Sequence, residues 1–511
     1  MKKFLILLAA AFSLCPMLWT QEAEPIPDAS GDAQTVYTIR NLDFDFNGRT
    51  RPFAIIYNGE FKEGERLLGK AALDRYIARK TQALLNQRVL ESASIEYALG
   101  NPDADGAIPV DLLIHVKDTW NIIALPYPQY DSNDGFKFII KARDYNFFGT
   151  MSALRVDFGY ERDNDDNNTF SFSIDSDIPF RAGGFDWSIN FDHDFSYTVG
   201  EPLYYRNVTG ISMELPFKST TFTFGFNEYI IFNEENSDSV KDRYGITEDY
   251  FDGPYASSEV FTSWRIPLGV EVGEWGALTY TPRLAAKISY TKGGVDEPRR
   301  PTVTFSHSVG FGRVNWIGNY REGLEASISN SNSFFIVPND WSSSLTANTT
   351  YYHTFGKLLG ISAKLEYRQW FNDVLYDAGG ALRGIINNRI RAENMLSFNI
   401  DFPFRLIHFT PSEWYSNRKL RLIDFDLHFS PFFDMALFKG PYNRFKDIPE
   451  EGSGFNFKDA LYTAGVEVIV FPAFMRSLYL RASVGYNLKK IIQTGDIPKW
   501  DEIFIGMGHH Y

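Results

Sequence analysis

The feature that most constrains this chain is a long succession of segments in which apolar and polar residues alternate, from Trp120 to the final residue, Tyr511. Alternation with a period of two is typical of β-strands with one buried face. No stretch reaches the roughly 18 consecutive apolar residues of a transmembrane helix. The chain is therefore expected to fold mainly into antiparallel β-sheet. The 18 candidate strands lie at residues 122–130, 136–145, 150–160, 168–178, 184–194, 204–215, 220–233, 255–267, 277–291, 302–316, 321–331, 343–354, 358–371, 391–402, 419–434, 459–471, 476–488 and 500–511.

Residues 1–20 have the features of a secretory signal peptide. Two lysines precede an apolar run at residues 4–14, which is the charged and apolar order of such signals. Cys15 is the only cysteine, and it is an unfavourable lipidation site because the large Leu14 occupies a position that needs a small residue. Cleavage is expected between Cys15 and Ala23. If the cut falls after Cys15, the mature chain can form no disulfide and no thiolate metal site.

Composition narrows the class of protein. Aromatic residues make up 16% of the chain, with 45 Phe and 28 Tyr. A secreted chain that is rich in aromatic residues and alternation, and that lacks a spanning helix, fits an outer-membrane β-barrel. The alternative is a soluble periplasmic or extracellular all-β protein. The net charge of −14 argues against a nucleic-acid partner.

A small domain is predicted ahead of the barrel. Residues 21–36 are mostly polar and rich in Pro and Asp, so they are expected to form a flexible lead-in. Residues 37–119 are predicted to form an α+β domain, and residues 120–511 the barrel. The predicted order of the small domain is β-α-α-β-β, with elements at Tyr37–Asn47, Arg51–Tyr57, Glu63–Arg88, Leu90–Leu99 and Val110–Val116.

Two short motifs late in the chain suggest an ion pair inside the barrel. A glycine-rich loop contains Arg383, and the strand near residue 430 alternates so that Asp434 lies on its polar face. If the apolar face meets lipid, Asp434 points into the lumen. A buried arginine needs a carboxylate partner, so Arg383 and Asp434 are expected to pair. The alternative is an exposed arginine in an ordinary turn.

The strand predicted at residues 391–402 adds two expectations. Glu393 and Asp401 alternate onto its polar face, so both carboxylates are predicted to face the lumen. The sequence Phe402-Pro403-Phe404 that follows is predicted to form a short turn on the periplasmic side.

The two motifs are similar to those of a known family. Leu382-Arg383-Gly384-Ile385, followed by Phe432-Phe433-Asp434, resembles the loop and strand motifs of the bacterial surface antigen family, the BamA/TamA-like barrels of outer-membrane assembly and secretion. Ile385 stands where an aromatic residue is more usual. The resemblance covers about residues 37–511. It implies that the small domain is a single POTRA-like domain, whereas members usually have two or more.

The resemblance also implies site residues and a strand number. Asp401 is similar to a carboxylate that the family places on the strand after the motif loop. Arg383, Gly384, Asp434 and Asp401 are therefore expected to form a lock that holds the loop inside the barrel. The family barrel has 16 strands, which implies that one candidate hairpin, near residues 255–291, does not form.

The first and last strands, ending at Tyr130 and Tyr511, are expected to close the barrel. Two prolines, at positions 126 and 128, remove amide donors from the first strand, and two glycines weaken the last. A weak seam would leave backbone groups able to pair with a client strand. The same features also fit ordinary barrel taper.

What the resemblance implies is an outer-membrane protein that helps other outer-membrane proteins insert by templating their strands at the seam. Its expected partners are outer-membrane lipids, unfolded outer-membrane protein clients and, as further candidates, accessory lipoproteins. Two alternatives stay open: two-partner-type secretion of a dedicated exoprotein, and a passive porin or surface antigen. No catalytic, metal or cofactor motif is recognisable, so the chain is expected not to be an enzyme and to need no cofactor.

Overall fold

The computed structural model describes residues 35–131, 135–162, 166–233, 254–289, 301–336, 339–372, 378–385, 390, 392–439, 455–495 and 502–507. The predicted signal peptide with Cys15, nearly all of the lead-in and the terminal Tyr511 lie outside these residues. No helix within the described residues is long and apolar enough to cross a membrane.

Residues 36–118 form a four-stranded sheet with two helices. The strand order is β2-β1-β4-β3. On β4, the side chains of Val110, Leu112 and Ile114 are buried, as the alternation predicts. The β-α-α-β-β order is therefore found with one additional short strand. The elements are β1 (Val36–Asn47), α1 (Pro52–Gly59), β2 (Arg66–Leu68), α2 (Lys70–Asn86), β3 (Leu90–Leu99) and β4 (Ile108–Asp118).

The second helix begins later than predicted. The sequence indicates a helix from Glu63, but residues 66–68 form β2, which pairs with β1, and α2 begins only at Lys70. Gly64 and Gly69 have φ angles of 78° and 81°. These left-handed conformations interrupt regular backbone on both sides of β2. A strand of three residues is too short to be recognised by alternation.

The described residues from Ile122 to Met507 form a closed barrel in which successive strands pair in sequence order and β23 closes the ring against β5. The strands are β5 (Ile122–Asp131), β6 (Gly135–Asp144), β7 (Leu154–Arg162), β8 (Asn168–Ala182), β9 (Phe185–Thr198), β10 (Tyr204–Phe217), β11 (Thr220–Phe232), β12 (Pro254–Glu271), β13 (Ala277–Ser289), β14 (Thr302–Ile317), β15 (Tyr320–Phe335), β16 (Asp340–Phe355), β17 (Leu359–Phe371), β18 (Asn394–Asp401), β19 (Phe404–Phe409), β20 (Phe425–Lys439), β21 (Leu461–Pro472), β22 (Leu480–Asn487) and β23 (Glu502–Met507).

The ring has more positions than the family resemblance implies. β18 and β19 lie end to end, because both pair with β17 on one side and with β20 on the other. Within the described residues the ring therefore has 18 strand positions, one for each candidate strand, and the reduction to 16 is wrong. The hairpin near residues 255–291 exists as β12 and β13, because its own alternation provides the two faces that a barrel strand needs.

The Phe402-Pro403 sequence interrupts one ring position and is not the predicted turn. Proline has no N–H to donate to a ladder, so regular pairing stops between β18 and β19. The backbone N of Phe402 donates to the Pro431 carbonyl at 3.0 Å, and that of Gly360 donates to the Pro403 carbonyl at 2.8 Å. These bonds keep the two halves in line, and the chain turns only in the connection 410–424.

The outer surface of the barrel is apolar. On β6, Phe136, Phe138 and Ile140 are exposed, whereas the intervening Lys137 pairs with Glu161 of β7 at 3.2 Å. Apolar residues outside and polar residues inside are the arrangement of a membrane-spanning barrel. The expected fold class, a small α+β domain followed by an antiparallel transmembrane barrel, is confirmed.

The chain packs into two compact units. The first contains the described residues up to Leu42, with 63–78 and 97–112. The second contains 43–62, 79–96 and 113–511, and therefore the whole barrel. The boundaries between the two units run through the small sheet.

The second unit has a buried arginine at one end of the barrel. This end, formed by the connections after β6, β14 and β21, is called the proximal rim. Arg88 donates to the Arg476 carbonyl, to the Gly318 carbonyl at 3.2 Å and to Asn319 Oδ1 at 3.3 Å. Its guanidinium stacks over the Trp316 ring at 4.0 Å. Burial lowers the pKa of Arg88 to about 10, so the side chain stays charged at neutral pH and depends on these neutral acceptors.

We expect Arg88→Ala to lower the free energy of unfolding by about 2–4 kcal/mol, because hydrogen bonds to a charged group and a cation–π contact are lost together. Arg88→Lys should be nearly as damaging, since an ammonium group cannot reproduce the planar fork. Urea titration of the barrel in lipid bilayers measures both. The exposed Arg75 is the control, and an Arg88→Ala barrel as stable as Arg75→Ala would contradict this role.

Candidate functional site: an arginine between two carboxylates inside the barrel

The motif loop enters the barrel between β17 and β18. Its described part, residues 378–385, begins with a 3-10 helix at Ala378–Ala381. Leu382 and Ile385 are buried against β18, β20 and β21. The Asn399 amide of β18 donates to the Ala381 carbonyl at 2.8 Å. Apolar packing and one polar contact thus hold the loop against the inner wall.

The loop directs Arg383 onto Asp434 of β20. Its Nε donates to Asp434 Oδ2 at 2.9 Å and its Nη2 donates to Oδ1 at 2.7 Å. The backbone N of Arg383 also donates to Oδ2, at 3.0 Å. Asp434 is completely buried. The pair is therefore a bidentate, charge-assisted contact with one backbone bond added, which is among the stronger polar arrangements in proteins.

Asp401 joins the same guanidinium from β18. The Nη1 of Arg383 donates to Asp401 Oδ1 at 2.6 Å. The Asp401 side chain is 12% exposed, whereas that of Arg383 is 4% exposed. The structure thus brings together the loop arginine and both carboxylates that the sequence and the resemblance single out.

Three further residues belong to the cluster and were not predicted. The Phe432 ring lies 3.7 Å from the Arg383 guanidinium carbon. Glu467 of β21 lies 4.0 Å from Arg383 and accepts from Arg481 of β22 at 3.0 Å. The alternation of apolar and polar residues could have pointed to Glu467 and Arg481, because each is a charged residue between apolar neighbours on a strand. Phe432 is two residues from Asp434 and therefore shares its face.

Gly384 lies against the backbone of β22. Its φ angle is 92°, and a Cβ there would lie 2.8 Å from the Gly485 carbonyl carbon and the Tyr486 nitrogen. A Cβ on Gly485 would in turn meet the Gly384 nitrogen at 2.7 Å. Only two glycines facing each other allow this approach, and Gly485 was not singled out in the sequence.

Other predicted residues lie elsewhere. Glu393 does not join the cluster: its side chain is 43% exposed and lies 4.0 Å from Lys439. It precedes the first residue of β18, so the alternation that positions Asp401 does not extend to it. The backbone of Tyr130 lies in β5, but its side chain and all of Tyr511 fall outside the described residues.

The cluster is an internal charge network. Two arginines face three carboxylates, and the network is buried. Buried charges are tolerated only when they are paired and hydrogen-bonded. The Arg383 side chain donates through Nε, Nη1 and Nη2 to aspartate oxygens of the barrel wall. Chemically, the arrangement joins the loop to the wall.

Comparison with known proteins gives structural neighbours only. No protein-family model and no curated protein matches the chain. The chain is similar to the crystal structure of BamA from Haemophilus ducreyi lacking POTRA domains 1-3, with 15% identity, 92% of this chain and 84% of that chain covered, and a TM-score of 0.41. It is similar to CdiB from Acinetobacter baumannii, with 13% identity, 92% of this chain and 73% of that chain covered, and a TM-score of 0.43. It is also similar to CdiB from Escherichia coli, with 8% identity, 95% of this chain and 92% of that chain covered, and a TM-score of 0.40. At these scores the likeness is too low to assign a function, so we infer the function from the geometry of this chain.

The two aspartates are expected to differ in importance. Asp434→Ala should lower the free energy of unfolding by about 3–5 kcal/mol, because it leaves a buried guanidinium without its bidentate partner. Asp401→Ala should cost about 1.5–3 kcal/mol, the loss of one hydrogen bond to a charged group. Urea titration in lipid bilayers measures both.

Arg155 and Asp175 provide the matched control pair, because they lie 2.6 Å apart but are more than one-third exposed. Asp175→Ala should change the free energy of unfolding by less than about 1 kcal/mol. Equal losses for Asp434→Ala and Asp401→Ala would show that the bidentate contact is not the stronger one.

Proposed function

We propose that this chain is an outer-membrane barrel that assists the insertion of other outer-membrane proteins by strand templating where β5 meets β23, called the seam. The observation that supports this most is that two residues of β5, Pro126 and Pro128, have no N–H to donate to a neighbouring strand. A strand edge without these donors forms fewer ladder hydrogen bonds, so the ring is expected to open here first.

The two prolines of β5 lie on the same edge of the strand. β5 pairs with β6 without interruption from Ile122↔Asp144 to Asp131↔Gly135. Amide groups two residues apart point to the same neighbouring strand, so Pro126 and Pro128 lack donors on one and the same edge. Proline is tolerated where a strand edge is not fully paired. We therefore infer that this edge is the one facing β23, and that a client strand can replace β23 there.

The Arg383 cluster supports the proposal as a lock that keeps the neighbouring wall rigid. Through Asp401 and Asp434 the motif loop is bonded to β18 and β20, and Gly384 lies against Gly485 of β22. β22 is the strand that pairs with β23. The wall is thereby fixed up to the strand beside the seam, so opening can be confined to β23.

The location of the protein follows from its outer surface. Alternating strands from β6 to β17 each present exposed apolar residues outward, and residues 1–20 have the sequence features of a secretory signal. We propose an outer-membrane location with lipids as partners and the small domain in the periplasm. Unfolded outer-membrane proteins are the proposed clients, and accessory lipoproteins are candidate further partners.

The small domain offers a second client contact. β3 stands at one end of the sheet order β2-β1-β4-β3, so no other described strand pairs with its outer edge. An extended client segment can add to such an edge through backbone hydrogen bonds. The alternative role is that of a spacer.

No catalytic role is proposed for the cluster. The Arg383 side chain is 4% exposed, and its donors are directed at the wall. A catalytic group must reach substrate, and this one faces only protein.

Conditional depletion tests the proposed function. Outer-membrane proteins are quantified while the complementing copy is wild type, Arg383→Ala or the control Arg155→Ala. We expect many barrel proteins to fall together on depletion, Arg155→Ala to restore them, and Arg383→Ala to fail, because the wall beside the seam is no longer held.

Other outcomes would overturn the proposal. Loss of a single exoprotein from the medium, with barrel proteins unchanged, would identify two-partner-type secretion. No change in membrane or medium would identify a passive porin or surface antigen. Full rescue by Arg383→Ala would show that the Arg383 cluster is not needed for the proposed function.

A further inference from the structure

The connection between β19 and β20 is the longest at the proximal rim. It covers residues 410–424, whereas the rim connections 183–184, 218–219 and 318–319 have two residues each. Transmembrane barrels usually have short turns on the periplasmic side, so we assign the proximal rim to that side. A long connection with its own ordered structure usually has a function.

The inner side of this connection is firmly held. Its two short helices are α3 (Pro411–Trp414) and a 3-10 helix at Arg418–Ile423. Asp424 is buried and accepts from the backbone N of Ser412 at 3.0 Å and from the Ser412 hydroxyl. The Asp424 carbonyl accepts from the backbone N of Ala473 at 2.9 Å. The segment is therefore an ordered, hydrogen-bonded structure.

Its outer side exposes large apolar residues. Trp414, Tyr415, Leu422 and Ile423 are 60%, 74%, 68% and 52% exposed. Phe409 holds the Trp414 ring at 5.2 Å in an edge-to-face contact, so this exposure is fixed by packing. A group of exposed apolar side chains on an ordered segment marks an interaction surface.

The surface continues into the lipid-facing side of the barrel. On β19 the pairing register shifts between Arg405 and Ile407, and both Leu406 and Ile407 are exposed. Trp and Tyr are the residues enriched where a membrane meets water. Lys419, also exposed, has the charge that attracts lipid phosphates.

We propose that the connection 410–424 is an interfacial anchor that inserts Trp414, Tyr415, Leu422 and Ile423 into the headgroup boundary of the periplasmic leaflet. Lys419 then lies at the level of the lipid phosphates. The inference rests on the proposed outer-membrane location. β19 and β20 are joined by this anchor and adjoin Asp401 and Asp434, so the anchor fixes the depth of the locked wall in the membrane.

Site-directed spin labelling tests the anchor. The full chain with Cys15→Ser is reconstituted in vesicles of phosphatidylethanolamine and phosphatidylglycerol, and a nitroxide is attached at Leu422→Cys. Labels at Val260→Cys, on the exposed outer face of β12, and at Ser219→Cys, in the two-residue rim turn 218–219, are the lipid and water controls. Collision rates with oxygen and with a water-soluble nickel chelate are measured at each site.

We expect the label at 422 to favour oxygen over nickel severalfold more than the label at 219, and to lie at a shallower depth than the label at 260. A label at 422 as accessible to nickel as that at 219 would overturn the anchor. A label at 422 shielded from both reagents would show that protein covers the surface and would overturn it as well. If the label at 260 is also accessible to nickel, the proposed membrane location itself fails.

Discussion

The bidentate contact between Arg383 and Asp434 is the interaction on which the rest of this structure depends. It draws a loop into the barrel and places a guanidinium where charge is tolerated only when it is fully paired. Asp401, Glu467 and the Phe432 ring complete its surroundings. Because these partners come from β18, β20 and β21, a single arginine ties the loop to three strand positions of the wall.

The consequence is a barrel of unequal stiffness. From β18 to β22 the wall is held from inside by the loop, whereas β5, on the other side of β23, contains two prolines that donate no ladder hydrogen bond. A uniformly strong ring has no place at which to exchange a strand. A ring that is locked on one side of β23 and lacks amide donors on the other has one such place, and this asymmetry links the buried ion pair to the proposed templating of client strands.

Alternation predicted most of the fold, because a barrel strand must present one face to lipid and one to the lumen. Every candidate strand, including the 255–291 hairpin that the family count argued against, occupies a ring position. The ion pair was predictable because Arg383 and Asp434 both needed a partner inside. Gly485 was not predictable, since nothing in the sequence shows that β22 meets the loop. The turn predicted at Pro403 was wrong, because the missing N–H of this proline interrupts the strand while the chain continues in line.

Hydrogen–deuterium exchange of the barrel in lipid nanodiscs tests the central claim most directly. Amide exchange reports local opening strand by strand. The account predicts fast exchange in β23, slow exchange in β20–β22, and a loss of protection in β20–β22 when Arg383 is replaced by alanine. Equal protection of β23 and β21 in the wild-type barrel, or an unchanged wall in Arg383→Ala, would contradict it.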